Sequence, residues 1–407
     1  MTGFRKNTRL IVKVGLWVGI LVPAECLLQL QEDSKNGSSV VADNSIADIS
    51  LPEPARSQRV KFLPSHLQAK RSQWIRPEPQ PSKSSQPTPT LQRFFAKQRH
   101  MGVDFKITLY STSETFANHA FQLAYQRISQ LDKTLTHYGG DSELLQLCAS
   151  SPHTQPVHVS HDLWCVLKQA LRVSHESYGA FDVTVGPLTK LWRRARRNQQ
   201  LPETAQLEAA RKAVGYWLIE LDCSQPAVRL TQPGMLLDLS AVAKGYAADQ
   251  ALVTMKKNGV ACAAVDAGGD LALGQPPPGH SGWRVALPSP NDKIGAKWML
   301  EIAQCGIATS GDRFQFIELD GRRYSHILDP RSGKPLEKRH QVTVIAKNCA
   351  RADSLASALC VLDLHRGMRL LNRLPTASGR IIGNDGVAKN SQRFPSLQPI
   401  VHDGVQR

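Results

Sequence analysis

The sequence predicts an α+β fold in which mixed β-sheets pack against helices, and three observations support this. Residues 105–110 alternate between apolar and polar side chains, which is the period of a half-buried β-strand. Residues 114–135 place apolar side chains at helical spacing, which predicts an amphipathic helix. Ser142 is a candidate N-cap for a short helix that follows it. Short strand patterns and Gly-containing turns then alternate with helical patterns at 161–177 and 350–362. No G-x-G-x-x-G motif follows a strand, so a Rossmann fold is excluded.

The positive charge of the chain is concentrated near its N-terminus. Residues 1–100 carry 15 Lys and Arg against 7 Asp and Glu, a net charge of +8, and the other 307 residues carry the remaining +8 of the total +16. This pattern favours a segment beside an anionic membrane surface over a nucleic-acid-binding domain. No zinc-finger spacing or RNA-binding aromatic motif is present, so no nucleic-acid partner is expected. The eight Cys form no C-x-x-C pair, which favours buried thiols and leaves disulfides open.

The first 30 residues have the pattern of an export segment. Basic residues precede an apolar run at 14–22, which predicts that residues 1–30 are a signal peptide or a membrane anchor. The positive-inside rule then places the rest of the protein in the periplasm, exported or anchored to the inner membrane. Residues 31–92 are rich in Pro and Ser and are predicted to be a disordered linker. The folded domain should span residues 93–396, followed by a tail at 397–407.

A polar, turn-rich stretch at 320–336 is a candidate for acid–base chemistry. Asp320-Gly321 predicts a hairpin turn. Pro330 disfavours helical backbone at Asp329, so His326 and Asp329 should lie on extended chain or a rigid loop. His titrates near neutral pH and suits a general base. The alternative is a surface loop whose His has no chemical role.

Two helix starts also carry candidate binding groups. A short apolar strand ends at Asp238, and a helix is predicted to begin near Ser240. This junction would place backbone amides and Lys244 at a site for an anion or a nucleotide. The alternative is that the junction only packs a strand against a helix. Asp353 and Ser357 are four residues apart and project from one face of a later helix. A carboxylate and a hydroxyl suit Mg²⁺, whereas an acid in a first turn can equally reflect favourable helix-dipole placement.

A cluster of four arginines follows the loop at 179–192. Its members, Arg193, Arg194, Arg196 and Arg197, are interpreted as a solvated helix face, with a docking patch for an acidic partner or lipid as the alternative.

Eight motifs, taken in order, resemble those of the ApbE family of FAD:protein FMN transferases. They are HMG (100–102), THYGGDSE (136–143), GAFDVTVGPLTKLW (179–192), LDLSAVAKGYAAD (237–249), VDAGGDLALG (265–274), GIATSGD (306–312), DGRRYSHILDPRSGKPL (320–336) and VTVIAKNCARADSLASAL (342–359). The resemblance spans nearly the whole predicted domain and implies an ApbE-like catalytic domain.

The resemblance also implies a reaction. FAD would bind in a cleft with Mg²⁺ near its pyrophosphate, and a Thr or Ser hydroxyl of an acceptor protein would attack the phosphorus on the FMN side. AMP would leave, and FMN would remain joined to the acceptor by a phosphoester. The implied partner is a flavoprotein subunit of an exported or membrane redox complex. The alternatives are an FAD-binding protein and an FAD pyrophosphatase without protein-transfer activity.

By position in the motifs, the resemblance assigns roles to thirteen residues. His326 would be the base and Asp329 its orienting neighbour. Asp353, Ser357 and the backbone carbonyl of Ala241 would bind the metal. The flavin contacts would be Met101, Tyr138, Ala180, Phe181, Asp182, Asp238, Lys244 and Ile327. The chain departs from the family pattern at Val103 (usually Thr), at Cys148 (usually Asn) and at Ser357 (usually Thr), and Ser357 keeps the hydroxyl.

Overall fold

An antiparallel sheet forms the centre of the computed structural model, which describes residues 90–137, 140–287, 298–311, 316–319, 321–337 and 340–399. The predicted signal or anchor, most of the predicted linker and most of the tail lie outside these residues. Within them the central sheet has eight strands. In spatial order these are β1 (Gln92–His100), β2 (Val103–Ser111), β6 (Ala263–Ala267), β7 (Leu271–Leu273), β10 (Cys305–Gly311), β15 (Gln341–Ala346), β16 (Ala377–Ile382) and β17 (Ala388–Asn390).

Smaller antiparallel sheets and hairpins surround the central sheet. One sheet contains β3 (Val157–His158), β5 (Ala227–Leu230) and β4 (Ile219–Asp222). Another contains β18 (Gln398–Pro399), β9 (Trp298–Ile302) and β8 (Trp283–Leu287). Two hairpins pair β11 (Phe316–Leu319) with β12 (Arg322–Ser325), and β13 (Leu328–Asp329) with β14 (Lys334–Pro335).

The helices of the described chain lie mostly between the strands in sequence. They are α1 (Glu114–Leu135), α2 (Glu143–Ala149), α3 (His161–Glu176), α4 (Gly186–Asn198), α5 (Thr204–Arg211), α6 (Ala243–Lys257), α7 (Cys349–Val361) and α8 (Leu364–Arg373), with a 3₁₀ turn at Tyr216–Leu218. Among these described helices, none combines the length and apolarity that a membrane span needs.

The central sheet is covered on both faces. On β7 and β10, Ala272 and Ala308 belong to the main core, beneath α6 and α7. Their neighbours Leu273 and Ile307 point the opposite way and form a second core with Trp283 of β8. This alternation follows from the two-residue period of a strand. Covering both faces fixes the sheet as a rigid base for the loops at its ends.

The β1–β2 hairpin explains the shape of the HMG motif. The two strands pair from Gln92↔Ser111 to His100↔Val103, which leaves Met101 and Gly102 as a two-residue turn. Both turn residues have positive φ, 47° and 77°, as a turn matched to the strand twist requires. Asp132 of α1 accepts a hydrogen bond from the Met101 N–H at 2.9 Å. The turn is therefore fixed against α1.

Several predicted elements are confirmed and one boundary is corrected. Helix α1 has the predicted bounds, and the Ser142 hydroxyl caps α2 by accepting from the Leu145 N–H. Helix α6 begins at Ala243 and not near Ser240. The reason is local: the Ser240 hydroxyl donates to the Asp238 carboxylate at 2.5 Å, and this holds residues 240–242 in a turn before the helix.

Candidate active site

Helices α6 and α7 come into direct backbone contact at Gly245. A Cβ at this position would lie 2.6 Å from the Cys349 carbonyl oxygen and 2.7 Å from the Ala350 nitrogen. Such distances leave no room for a side chain, so the glycine permits the close approach. The start of α6 is thereby held against the start of α7, which carries Asp353.

A buried lysine joins this helix pair to the central sheet. The Lys244 ammonium lies 2.5 Å from an oxygen of Asp270 and 3.2 Å from an oxygen of Asp353. Both carboxylates are buried. Burial would lower the pKa of Lys244, but the two carboxylates outweigh it and raise that pKa above its usual value. The lysine is therefore charged at physiological pH.

The two acids of this cluster share one cation. Burial and the mutual repulsion of the carboxylates raise the pKa of Asp353, although Lys244 opposes the shift. Burial likewise raises the pKa of Asp270. With all three groups ionised the cluster carries one excess negative charge in a buried place. A bound cation beside Asp353 would compensate that charge.

A carboxylate of α6, that of Asp249, caps the next helix. Asp249 accepts hydrogen bonds from the Cys349 and Ala350 N–H groups, at 2.8 and 2.9 Å. These N–H groups lack partners within their own helix, and a carboxylate there also complements the helix dipole. Burial still raises the pKa of Asp249 to about 7, against the lowering effect of the two hydrogen bonds. Asp249 thus fixes the orientation of the helix that carries Asp353 and Ser357.

A separate polar cluster surrounds Asp238. Its carboxylate accepts from Arg193 at 2.8 Å and from the Thr189 hydroxyl at 3.2 Å, both on α4. The His137 Nε2 lies 3.5 Å from it. Burial would raise the pKa of Asp238, but His137, Arg193 and the Ser240 hydroxyl outweigh it and lower that pKa.

The Asp238 cluster corrects the interpretation of the four arginines as one solvated face. Arg193 is half-buried and bound to Asp238, whereas Arg194 and Arg197 are exposed as expected. The arginine also binds His137 Nε2, at 3.0 Å. Burial is the main cause of the lowered pKa of His137, with Arg193 adding to it. The neutral imidazole is therefore the favoured form at neutral pH.

A small cleft of about 30 Å³ adjoins both clusters. Met101 and Lys244 line it, as predicted for flavin contacts, together with His137, Ser240 and Ala243. Its lining also includes one acid, Asp132, and the apolar side chain of Leu135. A mixture of apolar and polar groups suits a small molecule, but such sites usually measure about 300–1,000 Å³, so this cleft would have to widen to admit a dinucleotide. The structure thus brings together Met101, Lys244, Asp353 and the segment after Asp238.

The predicted flavin contacts at 180–182 have a different setting. The side chains of Ala180 and Phe181 are fully buried in the main core. Asp182 accepts from the Thr184 N–H at 2.9 Å and from the Thr184 hydroxyl, and burial raises its pKa well above the usual value. It lines a depression shared with Tyr216 and Arg331. Whether this stretch contacts a flavin stays a prediction, and Tyr138 lies outside the described residues.

The predicted hairpin is confirmed by the antiparallel pairing of β11 with β12, and His326 follows the second of these strands. The imidazole is half-buried. Ile327 is buried, and its N–H donates to the Ser325 hydroxyl at 2.9 Å. The Asp329 carboxylate binds the Arg331 guanidinium through two contacts of 2.8 Å. The roles of His326 as base and Asp329 as its orienting neighbour stay predictions.

Helix α4 connects this loop to the Asp238 cluster. The Trp192 indole donates to the Gly333 carbonyl at 3.1 Å and lies against the Tyr324 ring, with centroids 5.6 Å apart. The next residue along the helix is Arg193, which binds Asp238. One short segment of α4 therefore holds the His326 loop and the Asp238 junction relative to each other.

The proposed metal ligands are buried oxygen donors. Ser357 is one turn beyond Asp353 on α7, and its hydroxyl lies 3.2 Å from that of Ser310 on β10. Ala241 is buried in the turn before α6. Among the described residues, no group of three or more His, Cys, Asp and Glu has the arrangement of a metal centre. A metal here would therefore depend on hydroxyl and carbonyl oxygens as well as on Asp353.

Cys148, which stands where the family pattern usually has Asn, is a buried hydrogen-bond acceptor. Its Sγ accepts a hydrogen bond from the Leu237 N–H at 3.3 Å, beside Asp238. Burial raises the pKa of the thiol to about 11, so it stays neutral. Val103 in turn packs against Gly268, where a Cβ would lie 2.9 Å from the Val103 Cβ. Gly268 therefore permits this close contact with Val103.

Sequence reasoning missed four residues of the site: His137, Arg193, Asp249 and Asp270. Asp249 and Asp270 are acids next to apolar stretches of α6 and β7. Their position beside apolar residues could have predicted that these two carboxylates are buried. Arg193 and His137 gave no local signal, because their partner Asp238 is distant in sequence.

The comparisons with known proteins agree with this fold. A family model described as the ApbE family matches residues 101–380. The chain therefore belongs to the ApbE family, and the resemblance seen in its motifs is confirmed.

Two curated relatives illustrate the similarity. A Salmonella typhimurium protein named FAD:protein FMN transferase is 34% identical over 272 residues, which are 63% of this chain and 76% of that protein. A Vibrio cholerae protein of the same name is 32% identical over 284 residues, 68% of this chain and 84% of its own.

Solved structures support the fold prediction. The flavin transferase ApbE from Vibrio cholerae matches with a TM-score of 0.66 and 28% identity, covering 74% of this chain and 98% of that one. The apo form of the Pseudomonas stutzeri flavinyl transferase ApbE gives a TM-score of 0.64 at 28% identity, covering 74% and 95%.

Proposed function

We propose that this protein is an FAD:protein FMN transferase, which moves FMN from FAD to a Thr or Ser hydroxyl of an acceptor protein and releases AMP. The observation that carries the proposal is the buried Lys244–Asp270–Asp353 cluster beside the cleft of Met101, in a chain of the ApbE family. The cluster offers a fixed cation next to a site for a second one, and the bridging phosphates of FAD are anionic. Fixed charges that need no rearrangement are an effective way to stabilise phosphoryl transfer.

The residues present fit Mg²⁺. Asp353, Ser357 and the carbonyl of Ala241 are hard oxygen donors, the type that Mg²⁺ prefers. The excess negative charge around Lys244 also favours a cation there. When bound, the ion would neutralise charge on the phosphoryl oxygens.

His326 is the proposed general base. A neutral imidazole would accept the proton of the acceptor hydroxyl as that oxygen attacks the phosphorus on the FMN side. The bond from this phosphorus to the AMP oxygen breaks, and AMP leaves with the electron pair. The half-buried position of His326 leaves part of the ring accessible to an incoming protein side chain.

The acceptor and the location are part of the same proposal. The basic residues and apolar run at 1–30 support an exported protein, periplasmic or anchored to the inner membrane. The acceptor would then be a flavoprotein subunit of an exported or membrane redox complex.

Mass spectrometry tests the transfer. Incubation of a candidate acceptor with this protein, FAD and Mg²⁺ should add the mass of FMN to the acceptor. The product should disappear with His326→Ala and persist with His119→Ala, whose imidazole is exposed on α1. AMP release in the absence of acceptor would instead identify an FAD pyrophosphatase, and FAD binding without either product would identify a flavin-binding protein.

A further inference from the structure

A groove lined by arginines lies beside the loop of His326. Its volume is about 650 Å³, and its basic lining residues are Arg331, Arg366, Arg369 and Arg373. We refer to it as the arginine groove. No step of the proposed reaction at Lys244 and Asp353 requires these side chains.

Three of the arginines form one stripe on α8. Arg366, Arg369 and Arg373 are spaced by three and four residues, so they lie on the same helix face. All three are exposed, whereas Leu370 is buried on the side facing the protein. The stripe is therefore presented to the outside.

The acids nearby leave the groove positive. Glu176 binds Arg351 at 2.9 Å, and Arg351 is outside the groove. Asp329 is bound to Arg331, and Asp363 contacts Arg366 at 3.3 Å. Within the described residues, Arg369 forms no ion pair. The groove thus keeps a net positive charge that an anionic partner would complement.

An exposed tyrosine is held at the rim of the groove. Tyr178 is 68% exposed and has φ +54°, a conformation uncommon for non-glycine residues. The Arg373 guanidinium donates to its hydroxyl at 2.9 Å and lies 5.5 Å from its ring centre. Arg373 also donates to the Glu176 carbonyl at 3.1 Å. Exposed aromatic and arginine side chains together are typical of binding surfaces.

The groove is next to the candidate site but separate from it. Arg331 follows His326 by five residues in the same loop region. Leu362 lines the groove and follows Asp353 by nine residues at the end of α7. With a rise of 1.5 Å per residue, the helix places the groove about 13 Å from Asp353.

We propose that the arginine groove docks an acidic segment of the acceptor protein, an inference that rests on the proposed function. The groove is concave, and its apolar residues Leu362 and Leu370 are each only 5% exposed. A membrane would therefore find few apolar side chains to insert, whereas an extended acidic chain fits a positive groove. About 13 Å corresponds to about four extended residues. The acidic residues of the acceptor should thus begin about four residues from the modified hydroxyl.

Peptide binding tests the inference without any need for transfer. The probe is a synthetic fluorescent peptide with a single Thr and a run of Glu that begins about four residues from it. A matched peptide has Gln in place of Glu. The full chain should bind the acidic peptide and not the Gln peptide in fluorescence anisotropy without FAD. Arg366→Glu with Arg369→Glu should weaken binding by at least about tenfold.

A charge-matched control separates the effect of the arginine groove on peptide binding from the effect of the protein's net charge. Lys256→Glu with Lys257→Glu changes the charge equally at an exposed helix end and should leave the affinity for the peptide unchanged. Equal loss in both double variants, or no binding by the wild type, would overturn the inference. The inference would also be overturned if the groove variant kept its affinity for the peptide but no longer sedimented with vesicles of phosphatidylglycerol and phosphatidylcholine.

Transfer kinetics separate this inference from the proposed function. If FMN transfer occurs, the groove variant should raise KM for the acceptor and leave KM for FAD unchanged. Transfer with an unchanged acceptor KM would overturn the docking inference alone. Peptide binding through the groove without transfer to any acceptor would overturn the proposed function alone.

Discussion

Replacing Arg193 with Met should destabilise the protein far more than replacing its neighbour Arg194. Arg193→Met leaves Asp238, which is 1% exposed, without its closest cation at 2.8 Å. Removal of one partner of a buried ion pair typically costs about 3–5 kcal/mol. An unfolding entropy of about 2 cal/mol/K per residue over about 300 residues converts this into a fall of about 5–8 °C in Tm. Arg194 is exposed, so Arg194→Met should change stability by less than about 0.5 kcal/mol.

The effect of Arg193→Met should depend on pH. The pKa of Asp238 is lowered in the folded protein, so its contribution to stability is present above the unfolded-state pKa of about 4 and is lost as the pH falls through the folded value. Loss of Arg193 also removes one cause of the lowered pKa of His137. A protonated His137 at 3.5 Å can then partly replace the missing charge at acidic pH.

Calorimetry at pH 8 and pH 5 measures both effects. The deficit of Arg193→Met relative to Arg194→Met should be largest at pH 8 and smaller at pH 5. Two variants with Tm values within about 1 °C of each other at pH 8 would refute the view that Arg193 compensates a buried charge.

Four further predictions concern the site. His326→Ala should abolish FMN transfer but retain FAD binding in fluorescence titrations. Asp353→Ala should weaken the dependence of activity on Mg²⁺. Unchanged Mg²⁺ titration curves would show that Asp353 is not part of the metal site. Cys148→Val leaves the buried Leu237 N–H without an acceptor and should cost about 1–3 kcal/mol in chemical denaturation, whereas Cys148→Ser should lose clearly less. The pKa of Asp249 is raised to about 7, so its contribution to stability falls as the pH rises from about 4 to about 7. Asp249→Asn should flatten the Tm profile over this range, and an unchanged profile would contradict the assignment.

The sequence predicted elements whose signals are local. Helix α1 follows from apolar side chains at helical spacing, and the Ser142 cap follows from residue type at a helix start. The hairpin at residues 316–325 follows from Asp-Gly between two strands. In each case the residues that stabilise the element lie within the element itself.

The sequence failed to predict features that depend on distant partners. Strand β1 has an irregular apolar pattern because it is an edge strand with much of its surface exposed, and its pairing with β2 defines it. Arg193 appeared to be one of several surface arginines until the fold placed Asp238 beside it. The Lys244 cluster likewise joins Asp270 and Asp353, which lie 26 and 109 residues away in sequence.

The attachments between α6 and α7 limit how the cleft can open. Lys244, Gly245 and Asp249 each hold α6 to the helix of Asp353, by an ion pair, a backbone contact and a cap. A slide of one helix past the other would break all three at once, so this pair forms one rigid wall. A ligand too large for the cleft would therefore have to displace its other side, where Met101 of the β1–β2 turn and His137 line the space.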